Sequence, residues 1–286
     1  NAIHTAESNS TILIEKGVYQ MNTTPQVSGV SNLTIRGASH DPNDVILLGN
    51  GFEGEKPGPS EGIGIRDVKN VMIANLTLKG FSTNGIHIHG TRQTAPEGTH
   101  IYNVGLINIG QRSVKINSWD YENLWISSTI IEYCYIEQTK PVSPDREDGF
   151  GGNYIGGIDA MNASDLTVRD NIILNISGLT GGGRGGIFVW NASEDVKLKR
   201  NLLLGCDRGI ALGNPHFNEG IEYHVKGGLV KDNIILGEGR NNIGFEIIGA
   251  TDQVVLEHNA VFFDKEKDHW RAFYYAHEIT DIVARN

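Results

Sequence analysis

The chain has 286 residues and a formal net charge of -10, with 36 glycines but only 8 prolines. The negative charge argues against nucleic acid as a partner, because binding to a phosphate backbone needs a basic face. No run of about 18 or more apolar residues occurs, so the sequence predicts no membrane span. The length would allow two average domains, but a repeat from about residue 11 to the end predicts one elongated domain over residues 1–286.

The first predicted elements are short β-rich runs near the start of the chain. Residues 11–36 carry TILIEKGVYQM and SNLTIR, with glycine between them. A loop rich in glycine and proline, NGFEGEKPGPSE, follows at residues 50–61. We interpret the β-rich runs as the first turns of a solenoid.

A six-residue string then recurs seven times. Its first, second and fourth residues are small or apolar while the third and fifth vary, which is the period-2 pattern of a strand with one buried face. After most strings come a polar bend and two more β runs, so three short strands make one turn, or rung. This pattern predicts an all-β parallel β-helix. The strings are GIGIRD (62–67), GIHIHG (85–90), SVKINS (113–118), GIDAMN (157–162), GIFVWN (186–191), GIALGN (209–214) and GFEIIG (244–249).

A column of asparagines gives independent support for the solenoid. Each of these asparagines follows a polar pair and precedes an apolar triplet; they are Asn171, Asn201, Asn233 and Asn259. Asparagine tolerates left-handed backbone angles. Rungs stack about 4.8 Å apart, so the side-chain amides can hydrogen-bond along the axis. The same column predicts that Cys134 takes this place in the preceding rung.

Two further expectations concern the cysteines and the end of the chain. Cys134 and Cys206 fall at different positions of separate rungs, which predicts buried free thiols instead of a disulfide. The segment TDIVARN (280–286) matches the beginning of a rung and places Asn286 on the asparagine column. We therefore expect the chain to stop midway through a rung and the natural protein to continue.

With these repeats, the sequence resembles the right-handed parallel β-helix proteins of the pectate-lyase-like superfamily over essentially its whole length. The resemblance implies a secreted or periplasmic protein that acts on polysaccharides: a lyase, a polygalacturonase or an epimerase. The polygalacturonase signatures NTD and GHG and the epimerase signature DPHD do not occur. Lyases of the alginate and chondroitin group carry a groove lysine followed by an arginine about one rung on. Lys115 matches the lysine, whereas its neighbour on the next rung is Asp159.

The third and fifth positions of the strings point outward and form two columns. The third-position column reads Gly64, His87, Lys115, Asp159, Phe188, Ala211 and Glu246; the fifth reads Arg66, His89, Asn117, Met161, Trp190, Gly213 and Ile248. Ionisable and polar residues therefore concentrate on the central rungs, with aromatic residues at one border. Loops 91–99, 118–128, 140–155 and 214–226 are placed to wall a groove over them. The alternative is a polar ladder on an exposed sheet, with aromatics stacked for stability.

These residue types can together perform β-elimination on a uronic acid. We predict Lys115 as the base, with its pKa lowered by burial or a cationic neighbour, and His87 and His89 as acid or carboxylate binders. Asp159 completes the predicted catalytic cluster. The predicted substrate contacts are Arg66 on the neighbouring sugar, Asn117 on the carboxylate, Trp190 and Phe188 for ring stacking, and Arg184 and Arg208 at the strand entrances.

Other chemistries remain open at this point. A hydrolase needs two carboxylates about 5–9.5 Å apart, and Glu246 is three rungs from Asp159, so a loop acid would have to pair with Asp159. Calcium is possible if Asp145, Glu147 and Asp148 join Asp159. The pair His87 and His89 forms half of a transition-metal site without an obvious third ligand.

We expect no other cofactor. The expected partner is an acidic polysaccharide, without nucleic acid or membrane, and the expected state is a monomer. A binding or structural β-helix without catalysis is the third alternative.

Overall fold

The computed structural model of the protein describes residues 2–3, 5–118, 124–216, 220–237, 243–263, 271–276 and 279–285. Within these ranges the chain is almost entirely β-strand. A single 3-10 turn lies at Pro42–Asp44, where Asp41 accepts a hydrogen bond from the Asn43 backbone N–H. None of the helical structure in the described ranges is long and apolar enough to cross a membrane.

The described strands are short and follow one another at intervals of a few residues. In chain order they are Thr11–Ile14 (β1), Gly17–Gln20 (β2), Gln26–Ser28 (β3), Ser31–Gly37 (β4), Val45–Leu48 (β5), Ile63–Arg66 (β6), Lys69–Phe81 (β7), Asn84–His89 (β8), His100–Ile109 (β9), Arg112–Asn117 (β10), Ile126–Ser127 (β11), Ile130–Glu132 (β12), Tyr135–Glu137 (β13), Gly156–Met161 (β14), Ala163–Ser164 (β15), Thr167–Arg169 (β16), Ile172–Leu174 (β17), Gly185–Trp190 (β18), Ser193–Lys199 (β19), Leu202–Leu204 (β20), Arg208–Leu212 (β21), Val225–Lys231 (β22), Ile234–Gly237 (β23), Ile243–Ile248 (β24), Thr251–Glu257 (β25), Ala260–Phe263 (β26), Arg271–Ala276 (β27), Ile279–Thr280 (β28) and Val283–Arg285 (β29).

Every predicted string forms a strand of one nine-stranded sheet, in which each strand pairs in parallel with its counterparts one rung before and after. The order from one edge to the other is β27, β24, β21, β18, β14, β10, β8, β6 and β3. Because the neighbours of each strand come from adjacent rungs, the order along this sheet is the order along the chain. The prediction of a parallel β-helix is therefore confirmed.

The other strands form a second sheet that covers the remaining sides of the solenoid. In an early rung one long strand covers two sides: β7 pairs first with β4 and then with β5. Asn75 lies between the two paired segments and has a φ of 54°. A left-handed residue at this point turns the strand from one side of the solenoid to the next, as asparagine readily does.

The core is a continuous column of aliphatic side chains inside the solenoid. The second and fourth residues of every string are 0% exposed, as the alternation predicts; they are Ile63, Ile65, Ile86, Ile88, Val114, Ile116, Ile158, Ala160, Ile187, Val189, Ile210, Leu212, Phe245 and Ile247. Burying a side chain of this size contributes roughly 1.5–3 kcal/mol. Stacking of like residues on successive rungs thus stabilises the sheet that carries the outward columns.

The asparagine column is a buried hydrogen-bonded ladder. The side-chain amide of Asn171 donates to Asn201 Oδ1 at 3.0 Å, Asn201 donates to Asn233 at 2.9 Å, and Asn233 donates to Asn259 at 2.9 Å. The backbone N–H of Cys134 donates to Asn171 Oδ1 at 2.9 Å, which confirms its predicted place.

One detail of the predicted ladder is wrong: the left-handed residue is the one before each asparagine. Asp170, Arg200, Asp232 and His258 have φ values of 58°, 51°, 56° and 53°. The turn at that residue directs the asparagine side chain inward, where it bonds to the next rung. The predicted ladder position of Asn286 lies outside the described residues.

Both cysteines are free and buried, as predicted. Burial raises the pKa of each thiol to about 12. A thiol with such a pKa carries almost no thiolate near neutral pH, so both behave as small apolar core residues.

Replacing Asn201 with alanine is expected to destabilise the solenoid by about 1–3 kcal/mol, because buried partners lose their hydrogen bonds. Asn201 is 1% exposed and donates to Val168 O as well as to Asn233. Urea unfolding would measure the loss.

Asn32→Gly is the matched control in an exposed ladder, where Asn32 bonds to Asn9 and Asn70. This substitution should lower the free energy of unfolding by less than about 1 kcal/mol. Equal losses in the two variants would contradict a special role for the buried ladder.

Candidate active site

The strand register brings the three central predicted residues together on one outward face. His87 of β8 pairs with Lys115 of β10, and Lys115 pairs with Asp159 of β14. In the neighbouring outward column, His89 pairs with Asn117. Adjacent strands are about 4.8 Å apart, so these side chains are within reach of one another. The juxtaposition that the alternation predicts is present.

Asp159 is the centre of the cluster and is completely buried. Its Oδ2 accepts hydrogen bonds from Arg112 Nε at 2.5 Å and from Lys115 Nζ at 2.9 Å, and its Oδ1 accepts one from Trp190 Nε1 at 3.0 Å. Burial pushes the pKa of Asp159 upward, but the positive charges of Lys115 and Arg112 outweigh it and lower that pKa to about 2. Asp159 is therefore a fixed anion and not a proton donor near neutral pH.

Lys115 is largely buried. Its side chain is 11% exposed, and its Nζ lies 3.2 Å from Met161 Sδ in addition to Asp159. Burial lowers the pKa of Lys115, Asp159 opposes that change, and the nearby Arg112 adds to it; the net direction is downward. A lysine in this state can act as a base at a lower pH than an exposed lysine can.

His87 is held between two oxygen acceptors. Its Nδ1 lies 3.0 Å from Glu61 Oε1, and its Nε2 lies 2.8 Å from Asn117 Oδ1. Glu61 also accepts a hydrogen bond from the side chain of Asn84 at 2.7 Å. The hydrogen bond with His87 is the main cause of a lowered pKa at Glu61, which therefore stays ionised beside the ring. Glu61 was not predicted as a site residue; it directly precedes the string GIGIRD.

His89 lies beside His87, with ring centres 4.7 Å apart. Burial, together with the charges of His87 and Arg66, lowers the pKa of His89. A neutral His89 can accept or donate one hydrogen bond but carries little charge near neutral pH. Arg66 itself is exposed at the end of β6.

The buried guanidinium of Arg112 is the main site feature that the sequence prediction missed. Strict alternation would turn the first residue of each string outward and the residue before it inward. Instead the first residue faces the core: a Cβ on Gly186 would lie 2.6 Å from Leu203 Cδ2, and one on Gly85 equally close to Leu106 Cδ2. The preceding residue, Arg112, consequently reaches Asp159 on the outer face. The detectable signal was an arginine directly before both SVKINS and GIALGN.

Gly156 makes room for this arginine. It pairs with Arg112 across the sheet, and a Cβ at Gly156 would lie 3.3 Å from Arg112 Cδ, tighter than an ordinary contact. The guanidinium is covered on another side by Tyr154, whose ring centre is 4.0 Å away. Arg112 is only 2% exposed, so it positions Asp159 and does not contact a ligand.

A second ion pair lies farther along the same sheet. Arg208 Nε donates to Glu246 Oε2 at 2.8 Å, and Arg208 also donates to the Gly183 carbonyl. The register runs from Asp159 to Phe188, then Ala211, then Glu246, which is three strand spacings or roughly 14 Å. The two carboxylates are thus too far apart to act as a hydrolytic pair.

Aromatic rings separate the two ion pairs. Phe188 and Trp190 stack with ring centres 5.2 Å apart. Phe188 is only 3% exposed, so it supports Trp190 and does not offer the free stacking face that was predicted for it. Trp190 is half-buried, and its indole N–H donates a hydrogen bond to Asp159.

The segment over residues 140–155 packs at the end where the strands begin and covers Arg112 through Tyr154. Val142 and Ile155 pack with Phe52 and Leu179 in a small separate cluster. Asp148 accepts hydrogen bonds from the backbone N–H groups of Phe150, Gly152 and Tyr154. Loop 91–99 lies at the other end of the strands. Loops 118–128 and 214–226 fall partly outside the described residues.

The carboxylates predicted for calcium do not form an oxygen cage. Asp148 and Asp159 are both surrounded by N–H donors, and Asp145 and Glu147 are exposed on the loop. Calcium takes about 6–8 oxygen ligands. Over the ranges that the structure describes, no group of three or more His, Cys, Asp or Glu side chains could hold a metal ion.

Comparison with known proteins identifies the architecture. The family described as a right handed beta helix region matches residues 30–261. A comparison with curated proteins gave no significant match.

Several solved structures resemble the chain over almost its whole length. An alginate lyase from Paenibacillus sp. str. FPU-7 aligns with a TM-score of 0.61 and 12% identity, over 98% of this chain and 95% of that one. The surface protein and adhesin PfbA of Streptococcus pneumoniae aligns with a TM-score of 0.52 and 11% identity, over 96% and 91%. An endo-xylogalacturonan hydrolase from Aspergillus tubingensis aligns with a TM-score of 0.51 and 10% identity, over 99% and 87%. At these identities the likeness shows a shared fold.

Proposed function

The chain belongs to the family of right-handed β-helix proteins, and on that premise we propose that it is a polysaccharide lyase that cleaves a uronic-acid-containing polysaccharide by β-elimination. Two of the similar structures are named as enzymes of polysaccharides, an alginate lyase and a xylogalacturonan hydrolase. The observation that carries the choice of a lyase is Lys115. Its largely buried amine lies on the central strand and has a lowered pKa, and it is hydrogen-bonded to the ionised carboxylate of Asp159.

The proposed base step uses Lys115 Nζ. In its neutral form the amine takes the proton from the carbon beside the sugar carboxylate. The electron pair of that C–H bond forms a carbon–carbon double bond, and the bond from the next carbon to the glycosidic oxygen breaks. The oxygen leaves with the other sugar and receives a proton. Asp159 holds Lys115 in place and remains ionised throughout.

The sugar carboxylate must be held by hydrogen-bond donors while the proton is removed. We assign this task to Asn117 and His89, which share the outward column beside Lys115. We assign protonation of the leaving oxygen to His87, whose ring is held by Glu61 at 3.0 Å and by Asn117 at 2.8 Å. Arg66 is placed for the neighbouring sugar, and Trp190 for contact with a sugar ring.

The hydrolase alternative has less support. It would require Asp159 to donate a proton or attack the sugar, but its oxygens are occupied by Arg112, Lys115 and Trp190. A pKa of about 2 also prevents Asp159 from serving as a general acid near neutral pH. Secretion or periplasmic location follows from the proposed substrate and belongs to the same proposal, as does a monomeric state.

Incubation with a panel of uronic-acid polymers tests the proposal. A lyase leaves a double bond conjugated to the carboxylate at each new non-reducing end, so ultraviolet absorbance should rise together with reducing ends. Neutral polysaccharides serve as the negative control. New reducing ends without absorbance would favour the hydrolase, and no cleavage of any polymer would favour a binding module.

A further inference from the structure

Arg184 differs from the two arginines on either side of it. Arg112 pairs with Asp159 and Arg208 pairs with Glu246. Among the residues that the structure describes, the side chain of Arg184 makes neither an ion pair nor a hydrogen bond. It is half-buried, and burial together with the charges of Arg112 and Arg208 lowers its pKa. The carboxylates of Asp159 and Glu246 oppose this change only in part. A half-buried guanidinium without an ionic partner carries a desolvation cost that a bound anion would offset.

An exposed aromatic face lies next to this guanidinium. The guanidinium carbon of Arg184 is 5.7 Å from the ring centre of Phe150, and Phe150 is 51% exposed. Phe150 stacks on Tyr154 with ring centres 4.8 Å apart and planes 16° apart. Tyr154 in turn covers Arg112. The guanidinium of Arg184, which has no ionic partner among the described residues, therefore lies over a half-exposed aromatic ring at the end where the strands begin.

The loop that carries Phe150 is held in shape by its own hydrogen bonds. Asp148 Oδ1 accepts the N–H groups of Phe150 at 2.8 Å and Gly152 at 2.9 Å, and Oδ2 accepts that of Tyr154 at 3.0 Å. Gly152 has a φ of 74°, in the region that favours glycine. A ring on a preformed loop loses little entropy when a ligand packs against it.

The pair is separate from the reacting centre. Arg184 directly precedes β18, whose first residue, Gly185, pairs with Gly156 of β14, and Gly156 pairs with Arg112 of β10. Arg184 is thus about two strand spacings, roughly 10 Å, along the sheet from the strand of Lys115. A ligand at Arg184 would be a different part of the polymer from the sugar that reacts.

We propose that Arg184 and Phe150 form a subsite for one anionic sugar of the substrate, outside the reacting position. The guanidinium binds the sugar carboxylate through two parallel hydrogen bonds, and the Phe150 ring packs against the apolar face of the sugar. The chemical class of this ligand rests on the proposed function, whereas the cation and the exposed ring do not.

The test measures binding in a Lys115→Ala background, so that turnover does not interfere. Calorimetric titration with a size-defined oligouronate should show about 10- to 100-fold weaker binding for Arg184→Gln, the range expected for losing a charge-assisted pair. It should also show a smaller dependence of binding on salt. Phe150→Ala should weaken the same binding about tenfold. A neutral oligosaccharide of equal length should bind weakly in every variant.

Lys199→Gln is the matched control for loss of one positive charge. Lys199 lies in β19 of the other sheet and has no ion pair among the described residues; its removal should leave the affinity unchanged. If Arg184→Gln binds the oligouronate as tightly as its parent, the subsite is wrong although the lyase proposal stands. If the parent itself binds no oligouronate, the proposed substrate class fails and the subsite with it.

Discussion

Lys115→Ala should lower the rate of uronate cleavage by about 10²- to 10⁴-fold, the range for removing a positioned general base. The protein should remain folded, because Asp159 keeps its hydrogen bonds from Arg112 and Trp190. Initial rates with the polymer that the wild type cleaves best give the measurement, and thermal unfolding checks the fold.

Lys115→Arg separates the base from a merely electrostatic role. Arginine keeps the positive charge beside Asp159 but cannot lose its proton in the working pH range. The arginine variant should therefore be nearly as inactive as the alanine variant while retaining substrate affinity. Substantial activity in Lys115→Arg would show that the charge at this position suffices and that another group is the base.

Asp159→Asn should destabilise the protein by about 3–5 kcal/mol, because it leaves the buried Arg112 without its counter-charge. Both Asp159 and Arg112 are almost wholly buried. Urea unfolding at neutral pH measures the loss. Asp165→Asn is the control: Asp165 pairs with Lys197 in an exposed ladder, with both side chains about half exposed, and its loss should cost under about 1 kcal/mol. Similar losses for the two variants would contradict the central position of Asp159.

The same variant should shift the dependence of activity on pH. Asp159 raises the pKa of Lys115, so its removal should lower that pKa further. Activity that requires the neutral amine appears as pH rises through this pKa. In the folded fraction of the Asp159→Asn protein, the rise in activity with pH should therefore occur at a lower pH than in the wild type. If activity rises at the same pH in the variant and in the wild type, Lys115 is not the group whose titration controls activity.

Much of the fold could be predicted because each rung repeats the same physical solution. Ile86, Ile88 and their counterparts in the other strings alternate with outward-facing residues of varied type. In parallel stacking each lies on its counterpart one rung earlier. The asparagine column was visible for the same reason, since Asn201 requires a partner amide on each neighbouring rung. Its backbone angles were assigned one residue too late because the amide points inward only if the preceding residue makes the turn.

The outward column that carries Lys115 could be predicted from the sequence, but the residues that surround and bury it could not. Period-2 alternation was enough to bring His87, Lys115 and Asp159 together. Strict alternation also places Arg112, the residue before a string, on the inner face. That placement is wrong because the first position of each string faces the core, which turns the preceding residue outward. The burial of Asp159 likewise depends on Trp190, whose indole reaches over from the next strand.

The loop over residues 140–155 shows the limit of pattern-based reasoning. Its acidic residues suggested a calcium site, but Asp148 instead accepts hydrogen bonds from backbone N–H groups of its own loop. That geometry depends on three glycines with positive φ, Gly149, Gly151 and Gly152, for which the sequence offers no periodicity. The placement of Tyr154 over Arg112 follows from this local folding and could not be read beforehand.

The most direct test of β-elimination at Lys115 is the mass balance of cleavage. A single uronate oligosaccharide of defined length is digested with the wild type and with Lys115→Ala, and the products are weighed by mass spectrometry. Elimination adds no water, so the product masses should sum to that of the parent, with almost no product from the variant. Products that together exceed the parent by one water for each cleavage would show hydrolysis and contradict the account.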